Sequence, residues 1–586
     1  MFFLIDIYKK VNFVFNKTYS SYIPFLLLFV LLTLLEIISI GLIIPYMNLI
    51  FNPELLFKYD LIKNFIEIDE DFNAKNLIIP FSVIFGIIFI LKTIFIIFVR
   101  AQIQKFSLGN QKNLQIELMQ AYQNMEYVEF NKKKHSEYIR NIREFSANSM
   151  TCLEMGLRVT SELIIILAII TFLLFIEPIP LIIISLIILL SILIYNSYLK
   201  PMAVKWGKEK TDATKLIYQS VDDSFKGFKS IKSLGKQNFF SEFLKRGTNQ
   251  VFKNDLKSSI IISSPRYFLE LVLVIFLIAY LSINILNRGI DYNAFPTIVI
   301  FALAGLRILP SAAIISNGIL MISYCNEALS IIYSDLKKYK IKKNDLIFDK
   351  QSSEKNSILK KINFENFIEF KEVSFSYNYS KKMILNKVNF KLNKNEFIGI
   401  IGNTGSGKTT FVDILLGFLK PTEGKILVDS KEQDSFSLNY LGKVGYLPQE
   451  NFIINDTLEA NIALDYDKKK IDQKKIKNAL SFLELNNFVE NLPHNTDTLV
   501  GENGIKLSGG QRQKVCLARL LYHEKEILVL DEATNAIDKA AEKSIIQSMK
   551  LLKNKTIIII SHDYENLKFC DKLYKINNGK VESENI

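Results

Sequence analysis

A chain of 586 residues exceeds one ordinary domain, and 49% hydrophobic beside 22% charged residues calls for a soluble part joined to a very apolar one. A formal charge of +13 admits nucleic acid, anionic lipid or the lysine bias of membrane proteins as causes, which only its distribution separates. The four scattered cysteines, Cys152, Cys325, Cys516 and Cys570, show no paired spacing and argue against a disulfide framework or a zinc site. Residues 1–22 carry Lys9, Lys10 and Lys17 before an apolar run without a small-residue cleavage site, so no removable signal peptide is expected.

Six apolar stretches follow, at residues 22–50, 77–99, 157–176, 180–198, 267–286 and 294–322. A bilayer core of ~30 Å takes ~20 helical residues, so each is read as a membrane span. The first loop, 51–75, is acidic on balance, and the turn at 177–180 is tiny. By contrast, 100–150 and 200–257 are long and dense in lysine and arginine, which places them and both termini in the cytoplasm. The basic charge is then positive-inside bias, and no nucleic-acid partner is expected. Each long connection carries an amphipathic piece, at 126–140 and 218–233, suited to docking on a partner domain or to lying as a solvated helix.

Lys92, Arg266 and Arg307 interrupt the spans, as do Glu36, Glu162 and Glu270. An ionised side chain at the bilayer centre costs ~3 kcal/mol or more and normally faces a cavity or a partner. The topology puts the three cations in the inner-leaflet half, a ring suited to an anionic headgroup arriving from the cytoplasm. The other reading is that Lys92 and Arg266 snorkel or pair with Glu270 and similar groups.

After a lysine-rich linker, 337–369, strands and helices alternate as in an α/β domain, 370–586. Gly402-Asn403-Thr404-Gly405-Ser406-Gly407-Lys408-Thr409 fits G-x-x-x-x-G-K-[ST] between an apolar strand, 397–401, and a helix from Thr410. Glycines turn backbone N–H groups toward phosphates, Lys408 neutralises the β/γ-phosphates, and the Thr409 hydroxyl takes Mg²⁺. The candidate cradle is therefore Gly402, Asn403, Thr404, Gly405, Ser406, Gly407, Lys408, Thr409 and Thr410. The apolar strand 527–530 ends in Asp531, placed to hold Mg²⁺ through water, and Glu532, placed to polarise the attacking water. Between these lies Leu507-Ser508-Gly509-Gly510-Gln511, a second phosphate-binding helix start. One ATP does not need two cradles from one domain, so two domains are expected head to tail, each cradle serving ATP held by the other.

These residues resemble an ABC transporter, specifically a half-size exporter with a six-helix transmembrane domain (1–336) fused to an α/β P-loop ABC ATPase domain. The resemblance implies an ATP- and Mg²⁺-dependent hydrolase coupled to transport. It assigns Tyr377 to adenine stacking, Gln449 to Mg²⁺ and coupling, Asp538 to the dimer contact and His562 to the γ-phosphate. It departs at Asn535 and Ile537, where Ser and Leu are common, and after His562, where Asp563-Tyr564 replaces Arg-Leu. No reacting group is lost, so a homodimer with two working sites is implied. Ser264-Pro265-Arg266-Tyr267-Phe268-Leu269-Glu270 and the stretch from Leu303 to Ser311 resemble the lipid-linked oligosaccharide flippases of bacterial protein N-glycosylation. That resemblance implies a pyrophosphate meeting Lys92, Arg266 and Arg307, an external helix at 52–68, and residence in a bacterial inner membrane. Export of lipid A-like lipids, drugs or peptides stays open, as does a channel on the same scaffold; a soluble ABC ATPase of DNA repair or translation is argued against by the six spans.

Overall fold

The computed structural model describes residues 2–43, 45–46, 78–175, 178–288, 295–353, 364–377, 383–432, 443–532 and 539–584. The expected external helix at 52–68 and Asp538 lie outside them, and the Arg266 side chain is not among those described. The chain divides into two units: Met1–Met125 with Glu129–Phe348, and Glu126–Val128 with Asp349–Ile586.

The first unit is helical: α1 (Phe2–Val14), α2 (Ile23–Gly41), α3 (Ile78–Gln123), α4 (Ser146–Leu174), α5 (Pro178–Lys226), α6 (Gln237–Arg288) and α7 (Phe295–Ser353). Among the described residues, Tyr19–Gly41, Ile78–Gln123, His135–Leu174 and Ala304–Lys340 are long and apolar enough to cross a membrane. The burial of α2 is inside-out relative to a soluble helix. Leu27, Leu31, Leu34 and Ile38 are exposed, whereas Thr33, Glu36 and Ser39 are buried with Phe25, Phe29 and Leu32. An apolar outer face with polar groups turned inward is what a lipid solvent selects.

Much of the two long basic connections, 100–150 and 200–257, is helix continuous with the apolar stretches in α3, α5 and α6. The first amphipathic piece forms two short helices, Tyr127–Phe130 and His135–Arg140, joined to α4 by one π-helical turn, Asn141–Phe145. Glu126–Val128 belong to the second unit, within which the Tyr127 ring centroid lies 5.3 Å from that of Phe418. The second piece breaks at Gly227 before the helix Phe228–Ser233. One boundary differs from expectation: α7 continues to Ser353, through half of the stretch read as a linker. The sequence from Met321 to Ser353 holds no glycine or proline, so nothing in it ends the helix.

The second unit holds two sheets among its described residues. One is antiparallel, ordered β2 (Leu385–Asn393), β1 (Phe367–Phe375), β4 (Glu423–Val428), β5 (Lys431–Glu432). The other runs β10 (Lys580–Glu584), β9 (Lys572–Asn577), β3 (Phe397–Gly402), β8 (Thr556–Ile560), β7 (Ile527–Asp531), β6 (Val444–Leu447). From β9 to β6 it is parallel; only β10 joins antiparallel. Strands covered on both faces read as unbroken apolar runs, as Ile557–Ile560 does. Alternate residues divide accordingly. Phe397, Ile401, Leu528, Leu530, Ile557 and Ile559 enter one core, and Ile398, Ile400, Val529, Ile558 and Ile560 the other.

Candidate functional site

The phosphate loop leaves the buried strand β3 and turns into α8 (Lys408–Leu415). Gly407 stands at the helix N-cap with φ 106°, a left-handed conformation open to glycine, and has no side chain to satisfy the first-turn N–H groups. A Cβ at Gly402 would lie 2.5 Å from the Ile576 carbonyl oxygen and 2.7 Å from Ser406 Oγ. The Ser406 hydroxyl is itself buried without a hydrogen-bond partner. Lys408 Nζ folds back to donate to the carbonyls of Gly402 at 2.6 Å and Asn403 at 3.1 Å. Burial pulls its pKa down, against the field of Glu532 and Asp531. Uncapped N–H groups, an orphaned hydroxyl and a cation turned onto carbonyls form a cradle complementary to phosphate, and these residues fit ATP.

Asp531 and Glu532 stand at the end of β7. Tyr446 on β6 donates its hydroxyl to Asp531 Oδ2 at 3.2 Å. Burial raises the pKa of Asp531, while that hydrogen bond opposes the rise. Gln449 Nε2 donates to Glu532 Oε2 at 2.8 Å, and His562 Nε2 lies 2.6 Å from Glu532 Oε1. Glu532 has φ 49°, rare for a residue with a Cβ and a form of strain found at reacting groups. The carboxylate is thus gripped at both oxygens. Gln449, expected on Mg²⁺, here holds Glu532. Thr409 and Asp531 supply a hydroxyl and a carboxylate of the oxygen type that Mg²⁺ takes, so the donor set fits that ion. Asp413 of α8 is a further buried carboxyl nearby, its pKa raised to about 6 by burial and then by Asp531.

The second cradle opens α9 (Gly509–Tyr522). The Ser508 hydroxyl accepts from Gln511 N while the Gln511 side chain accepts from Ser508 N, a complete capping box. Arg512 braces the turn through the carbonyls of Gly504 and Leu507. Helix α9 packs on β6, the sheet edge three strands from β3. At ~4.8 Å per strand that is ~14 Å, so the two cradles occupy different parts of the domain. Tyr377 follows β1, edge-on to Phe375 with centroids 5.0 Å apart.

In the membrane unit, Lys92 and Arg307 come together on one carboxylate. Glu36, fully buried, lies 2.6 Å from Lys92 Nζ and 2.7 Å from Arg307 Nε. Arg307 also reaches Glu162 at 3.3 Å and donates to Ser311 Oγ at 2.8 Å; Ser311 donates to Glu162 Oε2 at 2.7 Å. Lys92 donates to Ser39 at 3.1 Å. Two of the three expected cations, Lys92 and Arg307, therefore sit in a neutralised network with Glu36 and Glu162 as counter-anions. Sequence reasoning noted these carboxylates without placing them in the site. Arg100 and Arg158, absent from the residues singled out in the sequence, line the same cavity. Helical spacing was the available signal: Lys92, Ile96 and Arg100 share a face of α3, as Arg158 and Glu162 share one of α4.

Residues 385–535 match the family model described as ABC transporter. An ATP-dependent lipid A-core flippase of Cupriavidus metallidurans is 35% identical over 218 residues, 37% of either chain. The similarity thus spans little more than a third of that relative's length. A putative export ATP-binding/permease protein of Rickettsia bellii is 28% identical over 411 residues, 68% of this chain and 66% of that one. The solved structure of a bacterial Atm1-family ABC exporter with ATP bound is similar with a TM-score of 0.74 at 16% identity, over 96% of this chain and 94% of that one. The fold and the site define an ABC-type nucleotide-binding domain on a helical membrane unit. Residues 385–535 lie in an ABC transporter domain, and the chain has the half-size ABC exporter fold.

Proposed function

We propose that two copies of this chain form an ATP-driven exporter that moves an anionic amphipathic lipid from the inner to the outer leaflet of a bacterial inner membrane. The lipid is a polyprenyl-pyrophosphate-linked oligosaccharide. The observation that carries this reading is a cation-bearing cavity in the membrane unit of a chain that also holds the phosphate cradle and the gripped Glu532. The separation of the two cradles supports a head-to-tail pair, in which Ser508, Gly509, Gly510 and Gln511 of one copy meet the nucleotide held by the partner. Both termini lie in the cytoplasm.

Bound Mg²⁺ and ATP supply the electrophilic γ-phosphoryl group. Glu532, aimed by Gln449 and His562, takes a proton from the attacking water, and Lys408 holds the charge of the β/γ-phosphates. Lys92, Arg266 and Arg307 are the proposed headgroup contacts.

Reconstitution in liposomes holding a polyprenyl-pyrophosphate oligosaccharide, with Glu532→Gln as control, tests the reading. ATP-dependent loss of the sugar from one leaflet in wild type alone supports it. Hydrolysis without translocation discards this substrate. The names of the relatives favour a second reading, a lipid A-type cargo, which the same assay with that lipid distinguishes.

A further inference from the structure

A cavity of about 230 Å³ in the membrane unit is walled by Glu36, Lys92, Arg100, Arg158, Glu162 and Arg307 among apolar side chains. Four cations there face two carboxylates, a surplus of two positive charges. The surplus is not spread evenly. Glu36 holds Lys92 and Arg307, and Glu162 reaches Arg307. Arg158 has Glu154 at 3.5 Å, one helical turn away and outside the wall. Arg100 has no ion pair or hydrogen bond among the described residues.

Depth divides the four in the same way. Arg100 follows Lys92 by eight residues on α3, ~12 Å along the axis, just past the apolar run that ends at Val99. Arg158 precedes Glu162 by one turn of α4, ~6 Å. In the orientation proposed above, both stand at the cytoplasmic mouth and the neutralised pairs lie deeper. An anion reaching Lys92 or Arg307 must first displace a fully buried carboxylate, whereas Arg100 offers a guanidinium whose donors are unclaimed.

We infer that Arg100, with Arg158, receives a lipid-borne pyrophosphate diester at the cavity mouth, and that the unpaired Arg100 beside Arg158, held only by the long contact to Glu154, selects this dianion over a monoanion. Glu36 and Glu162 keep Lys92 and Arg307 compensated until the headgroup moves inward. The inference rests on the lipid-export reading and names which cations the headgroup meets first.

The test is binding to the full chain in nanodiscs, with two probes of equal polyprenyl length. One bears a pyrophosphate-linked sugar (two charges), the other a phosphate-linked sugar (one charge). Wild type should prefer the first by ~10-fold, a difference of one charge-assisted contact. Arg100→Gln should weaken the pyrophosphate probe ~10-fold and the phosphate probe much less, and Arg100→Lys should keep most of the preference. Equal weakening of both probes, or no change in either, overturns the inference. Should Arg100→Gln unfold, Arg158→Gln is read by the same criteria. Displacement of the lipid by an equal concentration of a uridine-diphosphate sugar, a soluble pyrophosphate diester, overturns the lipid source. Arg100-dependent preference without ATP-driven translocation sinks the export reading and leaves the site; translocation without charge preference sinks the site and leaves the export reading.

Discussion

Replacing Glu36 by glutamine keeps the side-chain volume and removes one charge from the centre of the intramembrane network. The carboxylate is fully buried, with Lys92 at 2.6 Å and Arg307 at 2.7 Å. The two cations are only 13% and 22% exposed, so the change leaves both largely buried with Glu162 as the remaining carboxylate. Removing one partner of a buried ion pair costs ~3–5 kcal/mol, and the partial exposure of the cations places this case near ~3 kcal/mol. Trp206, the chain's single tryptophan and nearly buried in the same unit, reports thermal unfolding in nanodiscs. Glu36→Gln should lower the unfolding temperature clearly. Adding Arg307→Gln should then cost little more, with a coupling energy above ~1.5 kcal/mol in the double-mutant cycle. Additive costs, or a loss under ~0.5 kcal/mol from Glu36→Gln alone, would refute the view that Glu36 is the counter-anion of both cations.

Other consequences lie in the nucleotide-binding unit. Glu532→Gln should lower ATP hydrolysis at least ~100-fold while fluorescent-nucleotide binding persists, because the general base is lost and the phosphate cradle kept. Asp413, with its pKa raised to about 6, favours the folded state fully below pH ~4 and loses that contribution as pH rises through 6. Asp413→Asn should therefore stabilise the nucleotide-free protein at pH 8 and change it little at pH 4, measured by denaturant unfolding at the two pH values. Ser508→Ala removes the N-cap of α9 and its reciprocal bond with Gln511, and should cost ~1 kcal/mol in unfolding free energy. Gly402→Ala forces a Cβ against a backbone carbonyl oxygen and should cost ~1–3 kcal/mol while weakening nucleotide binding in a direct titration.

The features legible in the amino-acid order are local or periodic. The phosphate loop and the Ser508 helix start depend on residues within a few positions of one another, where glycine conformations and caps act, so their spacing alone placed them on a strand-to-turn-to-helix path. The membrane spans were legible because lipid demands ~20 apolar residues in succession. The helical extension to Ser353 is not legible in the sequence, because lysine, leucine and tyrosine form a helix as readily as they occur in an irregular connection. Contacts between distant parts of the chain come from packing alone. Glu36 meets Arg307 across 271 positions, and Gln449 meets Glu532 across 83. No periodicity reports such pairs. Four intramembrane charges are indistinguishable from a ring of free cations and scattered anions until helix packing shows which carboxylate stands within 3 Å of which ammonium or guanidinium. The packing decided that Lys92 and Arg307 are compensated, because a largely buried charge is tolerated only where its counter-charge packs against it, whereas Arg100 is exposed and stands without one among the described residues.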